Sequence, residues 1–258
     1  MLKKSSIGLA RRLLESKAGD RLRNFVVRDT LARVETVTHD SHLIRLCRPN
    51  PTIRWRNSTF STKEPETLAW IDGFSEPSVL WDIGANIGLY SIYAGHHGHQ
   101  VVAFEPSPFN LEFLTRNVNL NGLQEVVTVM PLAIGVAGHR HATLSGKNMN
   151  WGHSKNQFEA EAKAGSRGSS PWQIRTVGVA LCDVTWLFEL PSPSHIKIDV
   201  DGIELQILQS AGEVLRSVES VLVEINGVEE GHRIGEILTR AGLRLANSGR
   251  VNQIWNRT

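Results

Sequence analysis

The sequence predicts an α/β fold, in which helices cover both faces of a mostly parallel sheet. Short apolar runs alternate with helical patterns from residue 79 onward, a pattern that is typical of βα units. A glycine-rich loop follows the first of these runs, as expected where a strand turns sharply into a helix. The chain has 258 residues, 41% of them hydrophobic, so it is long enough for one large domain of this class.

The order of the elements follows from the apolar runs and from the helix signals between them. We predict strands over residues 79–83, 101–104, 126–130, 196–200 and 218–225, and two short strands near Leu243 and Ile254. We predict helices over residues 89–94, 108–121, 205–215 and 231–241, and Gly122 is the stop signal of the second. All of these elements belong to one main domain, which we place at residues 76–258.

Two segments precede this domain. Residues 1–30 form a basic leader, in which four apolar residues share one helical face: Ile7, Ala10, Leu13 and Leu14. This face predicts either a weak contact with an anionic membrane surface or a solvated or disordered leader, and we favour the second. Residues 31–75 form an accessory lead-in segment with short β-like runs. Thr62 is predicted to cap a helix in this segment, with Pro65 in its first turn.

Composition excludes several classes of protein. The formal net charge is +2 at pH 7, so the chain lacks the strong basic field of a nucleic-acid-binding protein, although local patches stay open. Cys47 and Cys182 match no metal motif, and one pair makes no disulfide scaffold, so we expect a reduced, cytoplasmic protein. No apolar run reaches the length of about 20 residues that spans a bilayer.

A polar stretch over residues 145–173 interrupts the alternation of strands and helices. It is rich in Gly, Ser, Asn and Lys, and it contains Trp151 and Trp172. So long a polar stretch within a domain is either disordered or a functional lid. The tryptophans lead us to favour a loop that covers the substrate.

The glycine loop predicts a ligand site at the end of the first strand. Gly84 permits a tight turn, and Gly88 permits close approach of a ligand or a helix. Asp82 stands at the carboxyl end of the strand, where open α/β sheets bind ligands. In nucleotide-binding βαβ units an acidic residue about 20 positions further on bonds the ribose hydroxyls, and Glu105 stands at this spacing. The helix that follows offers free N–H groups to an anionic group.

The spacing of the glycines limits the classes of ligand that the loop is expected to bind. It matches neither the dinucleotide fingerprint G-x-G-x-x-G nor the phosphate loop that ends in Gly-Lys-Ser/Thr, so a nucleotide-binding dehydrogenase is disfavoured. An Asp before a G-x-N-x-G loop, with a carboxamide at Asn86, better suits an amino-acid-bearing nucleoside such as S-adenosylmethionine.

Five segments of the sequence resemble the FkbM-type family of class I S-adenosylmethionine-dependent methyltransferases. They are Asp82-Ile-Gly-Ala-Asn-Ile-Gly, Phe104-Glu-Pro-Ser-Pro, Asn117-Val-Asn-Leu-Asn-Gly, Leu132-Ala-Ile-Gly and Ile196-Lys-Ile-Asp-Val-Asp-Gly-Ile-Glu. The first two are class-wide and the last is much more specific to the family. The resemblance covers roughly residues 60–255. It implies a Rossmann-like, seven-stranded sheet with an antiparallel last strand, and methyl transfer to a hydroxyl, often on a sugar or a secondary metabolite.

The resemblance also implies roles for single residues. The methionine end of the cofactor would lie against Gly84, Ala85, Asn86 and Gly88. The ribose would lie on Glu105, and the adenine between Pro106, Ser107 and the backbone of Ala133. Asp199 would lie near the methyl-bearing sulfonium. The sequence departs from the family pattern at Leu132, where a polar residue is common, and at Asp201, where Glu is common.

The segment after the fourth main strand predicts the chemistry. Asp199, Asp201 and Glu204 follow a buried strand, and a carboxylate is a suitable general base for an alcohol nucleophile. Asp199 is the first candidate and Glu204 the second, although Glu204 also suits the first turn of a helix. Lys197 is interpreted as a flanking strand residue. We expect no metal, although three carboxylates could hold Mg²⁺.

The acceptor is the least determined part of the prediction. Glu224 and Asn226 end the next strand and are candidates for the acceptor pocket, as are Trp151 and His153 of the polar stretch. We predict a small-molecule or glycan acceptor and no nucleic acid. A nucleic-acid methyltransferase and a non-catalytic S-adenosylmethionine-binding protein stay open as alternatives. His96 and His97 lie at a helix end and are interpreted as capping residues.

Overall fold

The computed structural model describes residues 15–75, 77–135, 141–154, 157–159, 172–249 and 251–258, so the apolar face predicted in residues 7–14 lies outside them. The lead-in region begins with helix α1 (Lys17–Ala32) and an antiparallel hairpin of strands β1 (Val34–His39) and β2 (His42–Cys47). Three short helices follow: α2 (Pro51–Ser58), α3 (Phe60–Lys63) and α4 (Pro65–Asp72). Among the residues that the structure describes, no helix is both long and apolar enough to cross a bilayer.

The remaining strands form a large sheet and a small one. In chain order they are β3 (Val79–Ile83), β4 (Gln100–Phe104), β5 (Val127–Met130), β6 (Ala133–Gly135), β7 (His141–Gly146), β8 (Gln157–Glu159), β9 (Trp172–Ala180), β10 (His195–Ile198), β11 (Ser220–Glu224), β12 (Leu243–Ser248) and β13 (Asn252–Arg257). The large sheet has seven strands in the order β12-β13-β11-β10-β3-β4-β5. The last strand, β13, is antiparallel to both neighbours. The predicted seven-stranded, mostly parallel sheet of the class I methyltransferases is confirmed.

Helices cover both faces of this sheet, as predicted. They are α5 (Leu89–His96), α6 (Pro108–Leu120), α7 (Val184–Phe188), α8 (Glu204–Gln209), α9 (Val214–Ser217) and α10 (Val228–Arg240). Successive side chains of a strand point to opposite faces. Trp81 and Ile83 of β3 accordingly enter one core cluster, which includes Leu205 of α8, and Leu80 enters the other, which includes Ile92 of α5.

Two predicted helix boundaries are wrong. The single helix expected over residues 205–215 is two short helices, α8 and α9, because Gly212 between them has a φ of +53°. Thr62 caps no helix, since it lies inside α3. That helix begins earlier because Phe60 is buried in the core. Pro65 does occupy the first turn of α4, as expected.

The lead-in segment packs directly on the main sheet. Leu68 and Ile71 of α4 and Ile44 of β2 are buried in the same cluster as Leu80 of β3. The small sheet has the order β6-β9-β7-β8, and β8 lies inside residues 145–173. Residues 155, 156 and 160–171 of that stretch lie outside the described residues. The domain boundary at residue 76 stays a prediction.

Candidate active site

A cavity of about 280 Å³ opens where the parallel strands of the large sheet end. Gly84 follows β3, Glu105 follows β4, Asp199 follows β10, and Glu224 is the last residue of β11; all four line the cavity. The carboxyl ends of parallel strands meet at one edge of a sheet, which is where open α/β sheets bind ligands. The sequence therefore placed this set of side chains at the correct edge.

The glycine loop is held tightly against β4 and β10. The backbone N–H groups of Gly84 and Ala85 both donate to the carbonyl of Phe104, at 3.0 Å each. Gly84 has a φ of +88°, and a Cβ atom there would lie 1.9 Å from the carbonyl oxygen of Asp199. Glycine is thus required at this position both for its backbone conformation and for the close approach of the segment that carries Asp199.

Gly88 lies against a helix, which is one of the two neighbours that the sequence predicted for it. Its φ is +85°, and a Cβ atom there would lie 2.4 Å from Cδ1 of Leu114 on α6. Gly88 does not line the cavity. Close packing of two helices therefore explains this glycine, and its predicted contact with the cofactor stays untested.

The Glu105 side chain binds backbone N–H groups of the glycine loop and of the segment after β4. Its Oε2 accepts the backbone N–H of Asn86 at 2.9 Å, and its Oε1 accepts that of Ser107 at 2.8 Å. Burial raises the pKa of Glu105 to about 7, although these two bonds act in the opposite direction. The carboxyl group therefore changes its charge near neutral pH.

Asn86 lines the cavity and has one unsatisfied polar atom. It has a φ of +53°, and its Nδ2 donates to the carbonyl of His153 at 3.2 Å. Its Oδ1 is buried and has no hydrogen-bond partner among the described residues. Buried polar groups are nearly always paired in folded proteins, so this oxygen is an acceptor that a bound ligand can satisfy.

A buried ion network lies under the loop. Nζ of Lys197 lies 3.2 Å from Oδ2 of Asp199 and 3.7 Å from Oδ1 of Asp82. Ser91 donates to the other oxygen of Asp82 at 2.6 Å. Asp82 is 1% exposed and does not line the cavity. Its observed contacts are thus with Lys197 and Ser91, and its predicted contact with the cofactor stays untested.

Lys197 sets the charge of Asp199. Burial alone would lower the pKa of Lys197, but Asp199 and Asp82 raise it above its ordinary value. Burial likewise would raise the pKa of Asp199, but the Lys197 ammonium, with Lys63 and Arg56, lowers it. Lys197 and Asp199 are therefore both charged, and Asp199 faces the cavity as a carboxylate.

Glu224 lies beside Asp199 on the neighbouring strand. Ile198 of β10 pairs with Val223 of β11, so the next residues of the two parallel strands are Asp199 and Glu224. Burial, first, and the nearby charge of Asp199 raise the pKa of Glu224 to about 8. Glu224 therefore carries the proton of this carboxyl pair at neutral pH.

The other predicted acids occupy different positions. Glu204 is fully buried, accepts backbone N–H groups of Val200 and Gly202, and accepts Nδ2 of Asn226 at 3.2 Å. Neither Glu204 nor Asn226 lines the cavity. Asp201 has a φ of +63° and does line it. The structure thus brings Asp199 and Asp201 to the cavity. Glu204 instead stabilises the loop that carries them, through hydrogen bonds to the loop backbone.

The far wall of the cavity is largely apolar. It is formed by Pro106, Leu132, Ala133, Ile134 and Leu144. Leu132, the departure from the family pattern, thus adds an apolar surface rather than a hydrogen bond. Ser107 is buried and does not line the cavity.

The described part of the polar stretch borders the cavity. His153 lines it, and its carbonyl accepts Nδ2 of both Asn86 and Asn110 at 3.2 Å. Trp151 points elsewhere, since its ring packs edge-on against Phe113 with centroids 5.2 Å apart. Trp151 does not line the cavity, so the structure places His153 there and Trp151 beside it.

Three charged residues of the cavity or of the ion network were not predicted as site residues. Arg56 of α2 and Lys63 of α3 line the cavity. The sequence of the lead-in segment contains no motif from which this could have been predicted. Lys197 was interpreted as a flanking residue. A lysine between two isoleucines of a buried strand was the available signal, because lysine is almost never fully buried unless it is paired.

Comparison with known proteins agrees with the motifs. The family model of the methyltransferase FkbM domain matches residues 82–245. The hexuronic acid methyltransferase AglP of Haloferax volcanii is 28% identical over 190 residues, which cover 73% of this chain and 73% of that protein. The methyltransferase sdnD of Sordaria araneosa is 30% identical over 178 residues, which cover 58% of this chain and 66% of that protein.

Solved structures of methyltransferases are similar as well. Magnesium protoporphyrin IX methyltransferase from Synechocystis PCC 6803, with bound S-adenosylmethionine, has a TM-score of 0.48 and 12% identity, and covers 97% of this chain and 96% of that chain. Precorrin-6y C5,15-methyltransferase from Geobacter metallireducens GS-15 has a TM-score of 0.44 and 15% identity, and covers 76% and 87%. The match of the family model over most of the main domain decides the assignment. The chain belongs to the FkbM family of S-adenosylmethionine-dependent methyltransferases.

Proposed function

We propose that this enzyme methylates a hydroxyl group of a sugar or glycan, or of a secondary metabolite, and that Asp199 accepts the hydroxyl proton. The observation that carries the proposal is the ionised Asp199 carboxylate, which faces the cavity beside the glycine loop and is held by Lys197 at 3.2 Å. A relative whose name specifies a hexuronic acid, aligned over 73% of the chain, supports a sugar acceptor.

The cavity fits S-adenosylmethionine by its donors and acceptors. The unsatisfied Oδ1 of Asn86 suits the amino group of the methionine end. The carboxylate of Glu105 suits the ribose hydroxyls, as acidic residues do in nucleotide-binding βαβ units. The apolar wall with Leu132 and Ala133 suits the flat face of the adenine. When bound, the cofactor supplies an electrophilic methyl group on its sulfonium.

Asp199 and Glu224 have different roles in the proton transfer: Asp199 accepts the proton of the hydroxyl group, and Glu224 orients Asp199. An alcohol is a poor nucleophile at neutral pH, and a positioned carboxylate that takes its proton during attack is an effective general base. Glu224, neutral up to a pKa of about 8, hydrogen-bonds Asp199 and fixes its orientation. Positioning of the hydroxyl in line with the electrophile supplies much of the remaining rate enhancement.

Two basic side chains at the cavity can bind an anionic group of the acceptor, although Lys63 is also paired with Glu64. Arg56 and Lys63 line the same cavity as Asp199. Nε of Arg56 donates to the carbonyl of Gly152 at 2.6 Å, which fixes the guanidinium at the edge of the polar stretch. Guanidinium and ammonium groups recognise carboxylates through charge-assisted hydrogen bonds. A uronic acid sugar carries both the hydroxyl group that is methylated and an anionic carboxylate group.

Methyl transfer by the Asp199→Asn variant tests the proposal. The assay uses methyl-labelled S-adenosylmethionine with oligosaccharides that contain a hexuronic acid and with their neutral hexose counterparts. We expect transfer to fall by about 10²-fold or more, the usual contribution of general base catalysis. The loss of stability is the smaller effect, because Lys197 keeps Asp82 as a partner, and the melting temperature verifies that the variant is folded. Glu125→Gln, on an exposed turn, is the matched control.

Two results would contradict the proposal. Normal transfer by Asp199→Asn would remove Asp199 from the mechanism. Transfer to neither sugar probe, together with no acceptor in cell extracts whose mass increases by one CH₂ group in the presence of the protein, would remove the sugar acceptor.

A further inference from the structure

A second cluster of polar side chains lies at the far end of α5, away from the cavity. α5 begins beside the glycine loop and has eight residues, so its last turn is about 12 Å further along the helix axis. Three segments meet there: the β1–β2 turn, the end of α4 and the end of α5. They contribute the side chains of His39, Asp40, His42, Asp72 and His97.

The ligand atoms in this cluster are close together. One atom each from His39, Asp40 and Asp72 lie within 4.8 Å of one another. Nε2 of His39 lies 3.9 Å from Oδ2 of Asp40, and Nε2 of His97 lies 3.3 Å from Oδ1 of Asp72. In a tetrahedral zinc site with metal–ligand distances of about 2.0–2.1 Å, neighbouring ligand atoms are about 3.3 Å apart. His97 and Asp72 already have this spacing, whereas His39 and Asp40 are 3.9 Å apart.

Neighbouring residues orient these side chains as they do around bound metals. Nδ1 of His39 lies 3.0 Å from Oγ of Ser61, which leaves Nε2 for the cluster. Tyr93 donates its hydroxyl to Oδ1 of Asp72 at 2.6 Å. In metal sites the second nitrogen of a ligating histidine and the ligating carboxylates are held by such partners.

The expected capping role does not account for His97. His97 is the C-cap residue of α5, and its backbone N–H donates to carbonyl groups of the last turn. Its ring takes no part in this capping, and the ring centroid lies 4.4 Å from that of His42. Its Nε2 is buried and has no hydrogen-bond partner among the described residues, since its approach to Asp72 lacks hydrogen-bond geometry. This nitrogen lies beside a carboxylate and has no hydrogen bond of its own, so it is available to a cation.

We propose that His39, Asp40 and Asp72 bind a divalent transition-metal ion of the Zn²⁺ type, with His97, which lies beside Asp72, as the fourth ligand. Mixed imidazole and carboxylate ligands favour zinc and its neighbours over Mg²⁺ and Ca²⁺, which prefer oxygen ligands alone. The ion joins the β1–β2 turn and α4 to α5. It therefore fastens the lead-in segment, which supplies Arg56 and Lys63, to the sheet that carries the glycine loop.

Metal titration of the full chain tests this site independently of methyl transfer. The chain is freed of metal with a chelator and titrated with ZnCl₂ in a calorimeter. We expect one bound equivalent and a higher melting temperature, whereas MgCl₂ produces neither. His97→Ala and His39→Ala each lower the zinc affinity by about tenfold or more. His232→Ala, on an exposed position of α10, leaves it unchanged.

The same titration can overturn the proposal. Absence of zinc binding to the wild-type chain, or an affinity that neither cluster variant changes, would show that the cluster is not a metal site. Ser61→Ala keeps all of the ligands and removes only the partner of His39, so it tests the arrangement even if a ligand variant fails to fold. We expect it to weaken zinc binding, and circular dichroism verifies the fold of each variant.

Discussion

At the scale of single residues, Lys197 and Glu105 are both buried, but burial has different consequences for their charges. Lys197 lies between Asp82 and Asp199, so its charge is paired and it keeps Asp199 ionised. Glu105 accepts two backbone N–H groups, and burial raises its pKa to about 7 although these hydrogen bonds act in the opposite direction. One acid is therefore ready to accept a proton, and the other becomes charged only near neutral pH.

The raised pKa of Glu105 predicts a pH-dependent stability. The pKa is about 7 in the folded chain against an ordinary 4.5, so the folded state holds this proton to higher pH than the unfolded state. The contribution is complete below the ordinary value and is lost as the pH rises to about 7, by up to about 3 kcal/mol. Urea unfolding from about pH 5 to about pH 8 measures it.

Glu105→Gln is the variant that isolates this contribution. It keeps the shape of the side chain and removes the titration, so its free energy of unfolding should fall less steeply with pH than that of the wild type. Two parallel curves would show that Glu105 does not titrate in this range.

At the scale of elements, the loop between β3 and α5 is in close backbone contact with the segment that carries Asp199. Gly84→Ala places a Cβ atom 1.9 Å from the backbone oxygen of Asp199, at a φ of +88°. Gly98 has a similar φ of +81° with nothing within 4 Å of the added atom. The two glycines therefore separate the cost of steric overlap from the cost of the left-handed conformation.

We predict that Gly98→Ala destabilises the fold by about 1 kcal/mol, the cost of a left-handed alanine. Gly84→Ala should cost about 3 kcal/mol or more, because the overlap with backbone adds to that strain. Urea unfolding measures both. Equal losses for the two variants would mean that β10 and the loop are not in the close contact described.

The sequence predicted the regular elements well because their signals are local. The bounds of β3 agree with the apolar run at residues 79–83, and α6 begins at Pro108 and ends before Gly122 as expected. The division of residues 205–215 into two helices was missed, because the apolar spacing continues across Gly212. Thr62 was misplaced because the burial of Phe60 depends on tertiary packing.

The site was predicted in part for the same reason. Gly84, Asn86, Glu105 and Asp199 follow strands and lie in recognisable motifs, so their convergence follows from the fold. Arg56 and Lys63 reach the cavity from a segment that is distant in sequence. Contacts of that kind follow from how the lead-in segment packs, which no local pattern specifies.

At the scale of the whole molecule, the cavity is an assembly of three parts. The large sheet supplies the acids, the described polar stretch supplies His153, and the lead-in segment supplies two cations. Binding of the cofactor to this assembly should stabilise the folded chain by about 2.7 kcal/mol when its concentration is 100 times the dissociation constant. The central claim is that the cofactor binds in this cavity with its ribose on Glu105.

Calorimetric titration of S-adenosylmethionine into wild type, Glu105→Ala and Glu125→Ala tests that claim most directly. Glu125 lies on an exposed turn, so its variant controls for the loss of one acidic residue. Hydrogen bonds to a charged group contribute about 1.5–3 kcal/mol, which predicts that Glu105→Ala binds about ten to a hundred times more weakly while Glu125→Ala binds like the wild type. An unchanged affinity in a folded Glu105→Ala protein would contradict the claim.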